Sequence, residues 1–594
     1  MEQEEIIKTE EWVQYEKGKD HLRKIGYYNT VEKCFNFYKG DQWHGANLGD
    51  IPAVQYNFIK PVVNYKTSAL DGYEYNIIFH SNNFESDEQS KKMEQVCKVL
   101  NTHISVIWEL KHMNGKLRRL KKDGAIAGEG VLYFYFKKDG GENELINDVA
   151  DGEFEAEKIL TTDIYYGNEN DSDIQNQPYI LIKQRLPLVT VQNIAQANGL
   201  SAEEIKKITA DTDTSEEIGD ASKYEVNDNV LVITKFYKKD GTVHCKKSTR
   251  QVVIQEEKDL GLNLYPIAHY NWNDDVGNAR GIGEVEYLIA NQIEANKTLM
   301  RRVAIIKMIA YPKPVVNIDK IKNRQALEKV GATIELSGGI DNINNYFGYI
   351  QPQATSPEAK ALQDEIITTS RELANASEVS TGAINPERAS GRAVLAIQQA
   401  SQQPLNEQLY RYKELLEDIG EIIFDIWQAY NVKGMKAYSR VENQDLARID
   451  DGSANYEIVN ISAKDLKDLK PYIKIEETPR TPYDRLAQEQ SYENLLVKGL
   501  ISFEEYVELL GEDSSMDKKQ LTKLIQKRQE KQAQIDAMQE EANAQATDLQ
   551  NQMALEQTAN QVETDVDINR INDQTTAQAE AMLGGMRWNV QYVT

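Results

Sequence analysis

The side chains capable of covalent or metal chemistry are few in this sequence, and their spacing serves neither. All seven histidines lie at or before His269, and none shares a metal-ligand spacing with another His or Cys. Cys34, Cys97 and Cys245 are odd in number and widely separated, so neither a disulfide framework nor a zinc ribbon is encoded, and a reducing cytosol is the expected compartment. His244-Cys245 falls in a predicted hairpin and reads as strand packing. A phosphate-cradling G-x-x-x-x-G-K-[S/T] loop is missing: Gly18-Lys19 is followed by Asp20 and has no upstream glycine. Gly281-Ile-Gly283 lacks a third glycine and reads as a helix start. There is no G-x-S-x-G nucleophile elbow. Carboxylate pairs such as Asp274/Asp275 and Asp171/Asp173 are unavoidable among 94 acidic residues, and a two-metal nuclease built on them stays a competing reading. No catalytic residue, metal site or cofactor is assigned.

Charge narrows the partners. The 594 residues carry 68 Lys+Arg against 94 Asp+Glu, a formal net charge of −26. Phosphate affinity comes from cations that displace counterions, so this balance argues against gripping nucleic acid over the whole surface. Two readings stand: the acid excess is a solubility device, or it lets DNA pass without sticking. No apolar run approaches the ~20 residues that span a bilayer. The longest candidate, Val303–Tyr311, is interrupted by Lys307, and the opening Met1-Glu-Gln-Glu-Glu is acidic where a secretory signal is basic and then apolar.

The elements are legible from periodicity. Residues 1–280 read as mixed α/β: a helical opening over Glu10–Asn29, an aromatic segment 35–43, a long helical stretch from about Ser86 to Gly128, a strand at Val131–Phe136, and a hairpin from Val230–Tyr237, Lys239-Asp-Gly-Thr and Val252–Gln255. Glu203–Asp228 reads as an acidic surface excursion. Residues 281–310 form one long helix, with Glu284, Glu286 and Glu294 in its first half and Lys297, Arg301, Arg302 and Lys307 in its second, an order that complements the helix dipole. At ~1.5 Å per residue it is a rod of roughly 45 Å. Residues 311–352 form a compact insert with strands at 314–318, 332–336 and 346–350 and a helix at 323–330. A second helix opens at Ser356-Pro357-Glu358, and a polar loop, Ser380–Gly391, follows it. Leu405, Leu409, Tyr412, Leu416, Ile419, Ile423, Ile426 and Tyr430 then mark a very regular helix, with a kink expected at Pro404. After a β-rich patch at 456–475 and a helix at 485–511, the Ala/Gln/Glu-rich segment 512–583 lacks Gly and Pro and carries a thin heptad-like stripe. A helical hairpin capped by the insert buries too little alone, and identical neighbours around a closed axis are the simplest supply.

Three motifs in this order carry a resemblance. They are Phe37-Tyr-Lys-Gly-Asp-Gln-Trp43 with Asn57-x-Ile59; Gly281-x-Gly283-Glu284 with Leu288, Gln292 and Asn296; and Thr381-Gly382 with Ser390-Gly391-Arg392-Ala393. Over roughly residues 35–430 the chain resembles the portal, or head–tail connector, proteins of tailed double-stranded DNA bacteriophages. The resemblance implies an α+β portal fold assembled as a ring of about twelve subunits at one capsid vertex. It assigns an α/β wing to 1–280, a helical-hairpin stem to 281–310 and 353–379, and a small β/α clip to 311–352. It places a tunnel loop at 380–391, a long kinked helix and wing return at 392–480, and a helical crown or C-terminal tail at 481–594. It implies no enzyme activity and no membrane contact. Its expected partners are double-stranded DNA without sequence specificity, the major capsid protein, the terminase large subunit and head-completion, adaptor or tail proteins. The expected location is the virion, with assembly in the host cytoplasm.

With twelve copies the formal charge is about −312, so any grip on DNA is local. In the tunnel loop Arg388 and Arg392 are the cations and Asn385 and Ser390 the neutral donors, able to touch phosphate without base readout. Arg388 alternatively pairs with Glu387 or Glu378. Lys297, Arg301, Arg302 and Lys307 either line the stem bore or bridge to the neighbouring subunit, and Phe37, Tyr38 and Trp43 read as core. A capsid-associated scaffold or core protein that needs no closed ring is the other competing reading.

Overall fold

The computed structural model describes residues 8–49, 53–81, 87–138, 152–211, 228–310, 313–316, 319–329, 331–337, 347–350, 357–376, 403–440, 456–479 and 482–510, with scattered positions between 520 and 577. It divides into two units, 1–480 and 481–594.

The first unit opens with two helices, α1 (Glu10–Lys24) and α2 (Tyr27–Lys39), where one was expected. Gly26 separates them at φ 75°, a left-handed conformation that glycine adopts without a Cβ clash. Helix α3 (Ile59–Leu70) leads into strand β1 (Tyr73–Ser81). The expected long helix to Gly128 is likewise two, α4 (Asp87–Leu110) and α5 (Met113–Ala127), broken at left-handed His112. Strand β2 (Glu129–Lys138) pairs antiparallel with both β3 (Gly152–Ile159) and a later strand. Its Val131, Leu132 and Phe134 are fully buried because helices cover the sheet.

A five-stranded antiparallel sheet follows: β4 (Ile164–Tyr166), β5 (Ile180–Pro187), β6 (Asn229–Lys239), β7 (Thr242–Ser248) and β8 (Val253–Asp259), in that spatial order. Two short helices, α6 (Leu188–Ala197) and α7 (Ala202–Lys206), lie between β5 and β6. The β6–β7 turn is Asp240-Gly241 with φ of 54° and 92°, the geometry that matches strand twist in a two-residue hairpin. Strand β9 (Ile267–Asn271) returns to β2.

Helix α8 (Glu284–Ala310) is the expected rod, and Gly281-Ile-Gly283 stands directly before it. Among the described residues of the insert there is one antiparallel strand pair, β10 (Lys313–Val316) with β11 (Phe347–Ile350). The expected middle strand is reduced to a single bridge, Ile321 to Leu336, and the expected helix to a 3-10 turn at Arg324–Glu328. Helix α9 (Pro357–Leu373) runs back along α8. Helix α10 (Asn406–Tyr430) begins after a 3-10 turn containing Pro404. The stretch that a kink there would bend, before 403, lies outside the described residues. Tyr412, Leu415, Leu416, Ile419, Ile422, Ile423 and Ile426 of α10 are buried in the main core. Strands β12 (Met435–Arg440) and β13 (Tyr456–Ile461) pair with each other, and after α11 (Ala463–Asp468) strand β14 (Pro471–Pro479) pairs with β1.

In the second unit α12 (Pro482–Val497) and α13 (Phe503–Leu509) form a small hairpin. Ser502 and Glu505 make a reciprocal capping box at the start of α13, and Tyr506, Val507 and Leu510 form its core.

Candidate functional site: the rod and its socket

Helix α8, which the resemblance assigns to the stem, is held along one face through its first four turns, while Tyr287, Glu294 and Lys297 stay exposed on the other. Arg280, the residue just ahead of the Gly-x-Gly pair, is fully buried. Its guanidinium lies between the rings of Tyr27 and Tyr166, with Cζ 4.6 and 4.9 Å from their centroids. Nη1 donates to Glu129 Oε1 and to Thr161 O at 3.0 Å. Nη2 donates to Ile164 O at 2.8 Å, and Nε donates to Glu169 Oε2 at 3.0 Å. Glu129 is equally well served: it accepts from Tyr27 Oη at 2.8 Å and Tyr166 Oη at 3.2 Å, and His269 Nε2 lies 3.0 Å away. Burial alone would raise the Glu129 carboxyl, but Arg280 and the His269 and Tyr27 hydrogen bonds outweigh it and hold the group down at about 2. The node ties α2, the start of β2, β4, the middle of β9 and the start of the rod into one body.

The three glycines beside it work by absence of bulk. A Cβ on Gly128, whose φ is 102°, would stand 2.1 Å from Gly281 O, and one on Gly283 would stand 2.6 Å from Ile126 O. The chain entering the rod therefore runs in backbone contact with the chain leaving α5. Glu284, the first residue of α8, bridges buried Lys66 at 2.7 Å and accepts from Trp272 Nε1 at 3.3 Å.

Two turns further on, amides take over. Gln292 Oε1 accepts from Phe58 N at 3.0 Å, while its Nε2 donates to Tyr56 O at 2.8 Å and Asn296 Oδ1 at 3.0 Å. Asn296 Oδ1 also accepts from Tyr56 N at 3.1 Å, and its Nδ2 donates to Gln42 Oε1. Asn57 Nδ2 donates to Phe37 O and Tyr38 O at 3.1 and 3.2 Å. The first two sequence motifs thus meet in space as one socket. Their separate spacing gave no sign of this, because the partners are more than 230 residues apart. Phe37 and Tyr38 are buried, and Trp43 donates its indole N–H to Val54 O at 3.2 Å.

The clamp ends at Met300, the last buried residue of α8, and every residue from 301 to 310 is partly or fully exposed. Lys297 and Arg301 both lean on Glu294 of their own helix, at 3.9 and 3.8 Å. Such exposed pairs are worth about 0–1 kcal/mol. Arg302 reaches across to Gln363 of α9, and Lys307 is exposed. Asn385, Arg388, Ser390 and Arg392 lie outside the described residues. Among the described residues no group of three or more His, Cys, Asp or Glu side chains could hold a metal ion, and no helix is long and apolar enough to cross a membrane. All three cysteines are buried and free, and His244 lies 3.0 Å from Glu257 within its hairpin.

The model of the family described as phage P22-like portal protein matches residues 189–570, a span that runs from α6 past α13 and includes the whole rod and its insert. No curated protein matches the chain.

Proposed function

The chain belongs to the phage P22-like portal protein family, a structural family of the phage capsid, and from that premise we propose that its copies close into a ring around a DNA channel at one capsid vertex. The observation that supports this most is the change of character along the rod. Up to Met300 it is held by its own chain, and beyond that point Ile306 and Met308 are 57% and 55% exposed, with Ile309 and Leu362 also uncovered. A two-helix hairpin with bare aliphatic side chains gains from neighbours of the same shape, and cyclic symmetry supplies them without an open end.

In this reading 1–280 is the wing, α8 and α9 the stem, 311–352 the clip that meets terminase during packaging and head-completion or tail proteins afterwards, and 481–594 the crown. The loop 380–391, with Asn385, Arg388, Ser390 and Arg392, is the element that touches phosphate. The acid excess of each copy keeps most of the bore repulsive to the duplex, so DNA moves in either direction without being trapped.

Native mass spectrometry of the full chain tests the reading. Twelve copies of 67.6 kDa give about 811 kDa, and micrographs of that species should show a central hole. A monomer or dimer at all concentrations would overturn it. A particle of that mass without a hole would favour the scaffold or core alternative.

A further inference from the structure

Residues 111–122, Lys-His-Met-Asn-Gly-Lys-Leu-Arg-Arg-Leu-Lys-Lys, hold six cations and no carboxylate inside a chain of net charge −26. Most of them form helix α5, which packs on α2 and α3. The fold sorts these cations. Lys121 is buried and paired with Asp71, and Lys111 pairs with Glu155 at 2.7 Å. Arg118, Arg119 and Lys122 are left on one outer face, at spacings of three and four residues that put neighbours about 5–6 Å apart. Arg118 is 74% exposed even though its Nε donates to Asp71 at 2.9 Å.

The face continues onto the neighbouring helices. Lys122 Nζ sits 5.0 Å above the ring of Tyr38 on α2, and Tyr38 Oη donates to Asn64 Oδ1 on α3 at 2.9 Å. Exposed Lys60 stands one turn before Asn64. Arg119, Lys122 and Lys60 pair with no carboxylate among the described residues. The result is a mainly basic surface across three helices, with the Asp71 carboxylate paired to Arg118 at its edge.

We propose that this face binds the phosphate backbone of double-stranded DNA, at a site separate from the 380–391 loop. An acidic protein is the poorer fit. Stable protein interfaces centre on buried aromatic or aliphatic anchors, and α2, α3 and α5 expose no large hydrophobic side chain. A polyphosphate needs only cations, forked guanidinium donors and neutral polar groups at regular spacing, which Arg118, Arg119, Lys122, Lys60 and Asn64 supply. The contact reads no bases. The acid of the rest of the chain keeps it weak, so it acts only where DNA is already concentrated.

The test is fluorescence anisotropy of a labelled duplex of about 30 base pairs titrated with the full-length protein from about 50 to 200 mM salt. The triple variant Lys60→Gln, Arg119→Gln, Lys122→Gln should lose at least about tenfold in affinity at the lowest salt and flatten the salt slope by about 2 to 3. Its native mass and melting temperature should match the parent's. If the triple variant is misfolded, Arg119→Gln alone is read instead, with a loss of about threefold expected. Unchanged binding by the folded variant overturns the proposal. So does equal affinity for a poly-glutamate chain of matched charge, which would make the face a site for acidic protein. Complete loss in Arg388→Gln, Arg392→Gln with none in the triple variant would also overturn it, while leaving the channel reading intact.

Discussion

Arg280 shows how one residue can decide the direction of a whole element. Its donors are spent on two carboxylates and two carbonyls, and the Tyr27 and Tyr166 rings lie against its guanidinium. Arg280→Met keeps the volume but leaves Glu129 and Glu169 without their cation, so it should cost about 3–5 kcal/mol in urea unfolding at neutral pH. The pH dependence carries a sign. Glu129 is held near 2, below its ordinary 4.5, so its contribution is complete above about pH 4.5 and is lost as pH falls towards 2. In Arg280→Met the carboxyl takes up its proton more readily, and the gap between parent and variant should shrink as pH drops below about 4.5. A gap that stays constant from pH 7 to 3 would mean that Arg280 acts through packing alone. Arg280 was legible in the sequence only as the residue before a helix start, because nothing local reveals that Glu129 and Glu169 converge on it.

At the scale of elements, the rod divides into a rooted half and a bare half, and the two should fail differently. Replacing Gln292 by Leu removes the partner of Phe58 N and strands the Tyr56 carbonyl, a loss of about 1–3 kcal/mol that should lower the melting temperature of the monomeric fold. Ile306→Glu with Ile309→Glu touches only exposed positions. That pair should leave the subunit's helix and strand content by circular dichroism at the parent's value, since it touches no core contact, yet it should collapse the ring to small species on a sizing column and lower the melting temperature only by what assembly contributes. Rings that persist with two glutamates at those positions would place the subunit contacts elsewhere. The rod, its Gly-x-Gly entry and the α10 stripe were legible because helical periodicity is local. The break at His112 and the replacement of the expected middle strand by a single Ile321–Leu336 bridge were not. A left-handed residue and a strand without partners leave no mark in a hydrophobic pattern.

For the whole molecule, charge is the working variable. If the particle handles DNA as proposed, its accessible cations must sit in chosen places, the 380–391 loop and the outer face of α5. Arg388→Gln should leave rings intact by native mass and change the rate of DNA translocation or the retention of packaged DNA. Unaltered packaging and retention would reduce Arg388 to an intrachain partner of Glu387 or Glu378. Composition, the absent phosphate loop, the order of helices around the insert and the motif spacing were all fixed by the chain as written, since each depends on residue type and short-range period alone. Family membership could be argued from them before any contact was known. Three things waited for the tertiary structure: the socket in which Gln42, Tyr56 and Phe58 meet Gln292 and Asn296, the buried Arg280–Glu129 pair, and the sorting of the α5 cations into buried and exposed. Each depends on which distant segments pack together, and that is settled by burial summed over the whole core and by no spacing along the chain.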